Sequence, residues 1–136
     1  MIDSLTHALL KEATSMSKKR ILIIDDDARN IFALTATLRA KSFDCISRQD
    51  AQEALELLQT DEVVDAILID MMMPDMDGYE AIPRIKGIEK RKDTPVFSVT
   101  AQAMVGDREK CLRAGADGYI SKPIDVDKLL EMLASI

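Results

Sequence analysis

"AILIDMMMPDMDGYEA", Ala66 to Ala81, changes character halfway along. Four apolar residues lead into Asp70, three methionines follow, and Pro74, Asp75, Asp77 and Gly78 build a turn. A short, uninterrupted apolar run fits a strand covered on both faces, as in a parallel sheet. A carboxylate at its end then sits where the strand leaves the core. Pro74 limits the turn, and Gly78 is expected to supply backbone angles that other residues resist. Asp77 followed three residues later by Glu80 reads as a capping box, so a helix is expected near 78–87.

The same alternation extends in both directions. "ILII" (21–24) is a strand-type run, and residues 28–40 carry Ile31, Leu34 and Leu38 at helical spacing. "FDCIS" (43–47) alternates like a strand. Asp50 and Glu53 open a helix with Ala51, Ala54, Leu55 and Leu58 on one face. "PVFSV" (95–99) is a fourth strand, 103–114 a helix stopped by a left-handed Gly115, and "GYIS" (118–121) a fifth strand. Asp125 caps a last helix with Val126, Leu129, Leu130 and Leu133 at i, i+3, i+4, i+7 spacing. Pro83 is expected to kink or shorten the third helix, and Gly106 to weaken the start of the fourth. Strands separated by helices pair in parallel through right-handed crossovers, which predicts an open, doubly wound α/β sheet.

The 136-residue chain is 47% hydrophobic, enough for one domain with its own core. A net charge of −6 gives no general attraction to phosphate backbones, so direct DNA binding is not expected. No run approaches the roughly 18 apolar residues of a membrane helix, and "MIDSLTHALLKEATSMSKKR" lacks the layout of a secretory signal. The expectation is a cytoplasmic protein without a membrane segment. Cys45 and Cys111 stand far apart in sequence and read as reduced core thiols. Residues 1–18 read as a tail or linker and 19–136 as the folded domain. His7 is isolated and is not read as a relay histidine. Asp61, Glu62 and the Lys90–Asp93 cluster read as solvated loops.

In doubly wound sheets, ligands bind outside the carboxyl ends of the strands, where strand order reverses. The residues there are Asp25, Asp26 and Asp27 after the first strand, Asp70 after the third, Thr100 after the fourth, and Lys122 with Pro123 after the fifth. Three carboxylates in one crevice repel one another, and a hard divalent cation relieves that. Three carboxylates, one lysine and Mg²⁺ (or Mn²⁺) sum to a neutral site. Asp70, alone on its turn, is the candidate nucleophile toward phosphorus, while Asp25 and Asp26 form a metal-holding pair.

These motifs, "IDDD" (24–27), "DMMMPDMDG" (70–78), "TA" (100–101) and "KP" (122–123), resemble the receiver domain of two-component response regulators and hybrid histidine kinases. The resemblance covers about Lys19 to Ile136. It implies a flavodoxin-like, five-stranded sheet of order 2-1-3-4-5 with helices on both faces. It implies that Asp70 accepts a phosphoryl group from a phosphohistidine on a histidine kinase or histidine phosphotransfer protein. Asp25 and Asp26 then serve Mg²⁺ together with Asp70, with Asp26 the better direct ligand of the pair and the Met72 carbonyl a further one. Thr100 and Lys122 bind the phosphoryl group, and Tyr119 is the aromatic switch that follows Thr100. The fourth helix, fifth strand and fifth helix form the output face toward a protein target, since the sequence given ends just after that helix. Met72 occupies the position that tunes dephosphorylation, and a thioether orients water poorly, which implies a long-lived phosphoryl group. A cis bond before Pro123 is also implied.

Two other classes bear on the same residues. An aspartyl phosphohydrolase needs an acid two residues after its nucleophile, where this chain has Met72. A non-phosphorylated receiver-like interaction module usually lacks an acid or the lysine, and here both are present.

Overall fold

The computed structural model describes residues 18–101 and 104–136. The expected tail, His7 included, therefore lies outside the described residues except for Lys18, as does the expected helix start at residue 103. Among the described residues, five strands, β1 (Arg20–Ile24), β2 (Asp44–Arg48), β3 (Ala66–Asp70), β4 (Val96–Thr100) and β5 (Gly118–Ser121), pair in parallel in the order β2-β1-β3-β4-β5. Five helices alternate with them: α1 (Ala28–Ala40), α2 (Ala51–Leu58), α3 (Gly78–Lys86), α4 (Asp107–Arg113) and α5 (Val126–Leu133). This is the doubly wound sheet expected from the alternation, in the flavodoxin-like strand order that the resemblance implied.

Side-chain parity divides the core into two layers. Leu22, Ile24, Ile67, Ile69 and Val96 face α2, α3 and the Cys111 side of α4. Ile21, Ile23, Leu68, Phe97, Val99 and Ile120 face Leu38 of α1 and Leu129 and Leu133 of α5. β3 and β4 are buried at every residue, so neither strand shows the polar alternation of a one-sided sheet.

Aspartates open four of the helices. The Asp27, Asp50, Asp77 and Asp125 side chains accept from the backbone N–H of Arg29, Glu53, Glu80 and Lys128. On α2, Leu57 is buried and Leu55 only partly so, a shift of the apolar face from the expected set. α3 runs through Pro83 to Lys86. α4 is shorter than expected, because Gly106 sits in the left-handed region at φ 90° and precedes the helix instead of lying within it. Gly115, at φ 112°, ends that segment as expected.

The turn after β3 differs from its sequence reading. Its left-handed residue is Asp75, at φ 67°, whereas Gly78 has no positive φ. Gly78 is required for space: a Cβ there would lie 2.2 Å from Met71 Sδ and 3.0 Å from Met71 Cα. Met71 and Met73 are buried in the α2–α3 layer and fill core volume, as expected.

The loop reading of 90–93 holds for its neighbours but not for Arg91, which is buried. Its guanidinium donates to the carbonyls of Leu58 (3.0 Å), Thr60 (2.8 Å) and Glu62 (2.7 Å), tying the 3₁₀ turn Glu89–Arg91 to the chain leaving α2. Planar donors in a fixed fork suit three divergent carbonyls, which a sequence-level charge count does not reveal.

Candidate functional site at the carboxyl ends of β1, β3 and β4

The strand ladders carry one residue past their ends and so hold the first loop residues in place. Asp25 N–H donates to Arg48 O at 3.2 Å, Met71 N–H to Val99 O at 3.0 Å, and Lys122 N–H to Thr100 O at 2.8 Å. Asp25 and Asp70 continue the parity of Ile23 and Leu68 and open toward the α1–α5 side. Each is only 6% exposed, while Asp26 is exposed beside them.

Asp25, Asp26 and Asp70 each offer one carboxylate oxygen within 4.8 Å of the other two. Lys122 reaches in from the far side, its Nζ 3.3 Å from Asp70 Oδ2 and 3.7 Å from Asp25 Oδ2. The Lys122–Pro123 bond is cis, as the resemblance implied. Asp70 Oδ1 accepts from Met72 N–H at 3.0 Å, and Asp25 Oδ1 from Asp27 N–H at 2.9 Å. Each buried acid is thus oriented by the backbone two residues on.

Burial pushes the Asp25 carboxyl above its ordinary value. The Asp27 N–H and the Lys122 ammonium oppose that shift, while Asp70 and Asp26 add to it. A buried acid in that position is relieved by a further positive charge. Three converging hard oxygen donors fit a divalent cation of the Mg²⁺ type.

The remaining candidate residues lie on the other parity. Thr100 is fully buried at the end of β4 and continues the side-chain direction of Val96 and Ser98, toward α3 and α4. Tyr119, beside Ser98 in the β4–β5 register, packs against the same layer. The site therefore straddles the top of the sheet, with the acids on one face and Thr100 and Tyr119 on the other. Met72 is half exposed next to Asp70.

Two residues near Tyr119 were not singled out from the sequence. Asp107, the first residue of α4, is 6% exposed and accepts hydrogen bonds from both the Tyr79 and the Tyr119 hydroxyls. Burial, and then the Asp107 carboxylate, raise both phenols above their ordinary values. Lys110 Nζ lies 4.2 Å from the centre of the Tyr79 ring. No local signal marks this cluster, because its three members come from α3, α4 and β5. The presence of only two tyrosines in the chain was the available hint.

The residues with this geometry also match known proteins. A family model described as the response regulator receiver domain matches residues 21–134. The sensor histidine kinase RcsC of Salmonella typhi is 35% identical over 124 residues, which cover 91% of this chain and 13% of the kinase. The polar-differentiation response regulator DivK of Brucella abortus is 33% identical over 117 residues, covering 86% of this chain and 94% of DivK. Among solved structures, the receiver domain of a sensor histidine kinase from Pseudomonas aeruginosa is 32% identical, with a TM-score of 0.79. It covers 88% of this chain and 97% of its own, and holds a magnesium ion in its active-site cleft. The chain thus spans a small part of the kinase RcsC and nearly all of DivK. Among the described residues, no helix is long and apolar enough to cross a membrane.

Proposed function

Because this chain belongs to the response regulator receiver domain family, we propose that it is a phosphoaccepting signalling module in which Asp70 takes a phosphoryl group from a phosphohistidine. The donor is a histidine kinase or a histidine phosphotransfer protein. The observation that carries the reading is the convergence of three carboxylates on one point, with Lys122 Nζ 3.3 Å from Asp70 Oδ2.

Asp70 attacks phosphorus through a carboxylate oxygen, the P–N bond to the imidazole breaks, and the leaving imidazole keeps the electron pair of that bond. The product is an acyl phosphate on Asp70. Asp25, Asp26, Asp70 and the Met72 carbonyl would hold Mg²⁺. The ion, when bound, neutralises charge on the phosphoryl oxygens. Lys122, anchored through its backbone to Thr100 O, supplies a cation on the opposite side. The backbone N–H of Met72 and the Thr100 hydroxyl supply neutral donors. The module turns over no external metabolite. Its output face is α4, β5 and α5, where Arg108, Leu112, Tyr119, Lys128 and Met132 line a shallow groove for a protein target.

The test is incubation with a small phosphodonor and Mg²⁺, followed by intact mass measurement. Wild type is expected to gain one phosphoryl group, and Asp70→Asn none. No gain in wild type at any Mg²⁺ concentration would leave a module that signals by binding alone. In the same assay Met72→Asn, which offers water an amide, is expected to lose its label faster than wild type. An unchanged lifetime removes the Met72 side chain from that role.

A further inference from the structure

The cluster of Asp107, Tyr79 and Tyr119 on the far face of the sheet goes beyond the phosphoacceptor reading and rests on it. We propose that Asp107 is a positioning residue for Tyr119: its carboxylate, shared with Tyr79, latches Tyr119 against the start of α4 and opposes its movement. How tightly it does so sets how readily a phosphoryl group at Asp70 moves the switch.

The geometry is specific. Asp107 is the first residue of α4, and the left-handed Gly106 before it turns the chain so that the carboxylate enters the core. The Tyr119 hydroxyl donates to Oδ2 at 3.1 Å, and the Tyr79 hydroxyl donates to Oδ1. One side chain therefore joins α3, α4 and β5. Thr100, at the end of β4, shares the sheet face of Tyr119, while Asp70 opens on the other face. A rearrangement of Thr100 toward the phosphoryl group thus reaches the cluster through Tyr119.

The energetics give a direction. A buried carboxylate that loses one of its donors is left partly unsatisfied, and that opposes release of Tyr119. Phosphorylation must overcome this opposition. By linkage, whatever loosens the latch strengthens binding of a phosphoryl group or its mimic at Asp70. Tyr79 acts in the opposite sense to Tyr119. With Tyr79 present the carboxylate is half satisfied without Tyr119. With Tyr79 removed, it depends more heavily on Tyr119 and holds it harder.

The probe is beryllofluoride, a phosphoryl mimic, titrated with excess Mg²⁺ by calorimetry. Tyr119→Phe keeps the ring and loses the latch, and Asp107→Asn loses the charge. Both are expected to bind about tenfold tighter than wild type, the factor set by loss of one charge-assisted hydrogen bond. Tyr79→Phe is expected to bind more weakly than wild type. That opposition of sign separates a latch from general loosening, which moves all three variants the same way. Tyr79→Phe also leaves Tyr119 as the sole tyrosine in a chain without tryptophan. Its emission is expected to rise when the mimic binds, as the phenol leaves a quenching carboxylate. Where Asp107→Asn does not fold, the two tyrosine variants carry the test alone.

Unchanged affinity in Tyr119→Phe, or a shift of the same sign in both tyrosine variants, overturns the latch while leaving the phosphoacceptor reading intact. No binding of the mimic to wild type overturns both.

Discussion

Arg91 and Asp107 are ordinary surface residue types that this fold buries, each with a different consequence. Arg91 donates to three backbone carbonyls between α2 and β3. Arg91→Met keeps much of the side-chain volume and removes every donor. It is expected to lower stability by about 3 kcal/mol, read as a shift in the urea midpoint with the slope unchanged. A shift under about half a kcal/mol would mean that water replaces the guanidinium. Asp107 tethers two phenols, and its effect is expected on switching more than on the fold. Gly78 shows a third kind of residue-scale constraint. Its hydrogen is dictated by the sulfur of Met71, seven positions earlier, and not by any backbone angle.

At the scale of elements, α4 is the departure from regularity. It has seven residues, and Gly106 before it stands at φ 90° with nothing within 4 Å of where a Cβ would sit. Were Gly106 inside the helix, Gly106→Ala would stabilise the protein through helix propensity. In the left-handed region the same change is expected to destabilise it by about 1 kcal/mol, with no packing contribution to confuse the sign. Thermal denaturation distinguishes the two directions. The other four helices keep closely to their sequence pattern, because each begins with an aspartate whose carboxylate caps the first turn. Gly106 supplies no side-chain cap, so the start of α4 was the one the pattern placed wrongly.

Across the whole molecule, the acids of the site are expected to oppose folding when no cation is bound. Asp25 is a buried acid whose charged form is disfavoured by burial and by its neighbours Asp70 and Asp26. Asp25→Asn keeps the shape and an oxygen for Asp27 N–H, and removes that repulsion. The variant without Mg²⁺ is expected to melt above wild type without Mg²⁺. Adding Mg²⁺ is expected to raise the wild-type midpoint, the stability growing by about 1.4 kcal/mol for each tenfold excess over Kd, and to leave the variant nearly unmoved. An Mg²⁺ response as large in Asp25→Asn as in wild type removes Asp25 from the metal site. The acids themselves were legible beforehand. Periodicity located the five strands, and a parallel sheet exposes only the residues just beyond their ends. Asp25, Asp26, Asp70, Thr100 and Lys122 could therefore be placed at the strand ends by counting along the chain. Their division between two faces also comes from parity, once the strand bounds are known. The sequence by itself determined the alternating α/β order, the parallel sheet and the acid cluster, because each depends on local period and on chain direction. Only the tertiary structure decided the burial of Arg91, the steric need for Gly78, the late start of α4 and the sharing of Asp107 by Tyr79 and Tyr119. Those depend on which side chains meet across elements distant in sequence, and packing at that range leaves no local pattern to read.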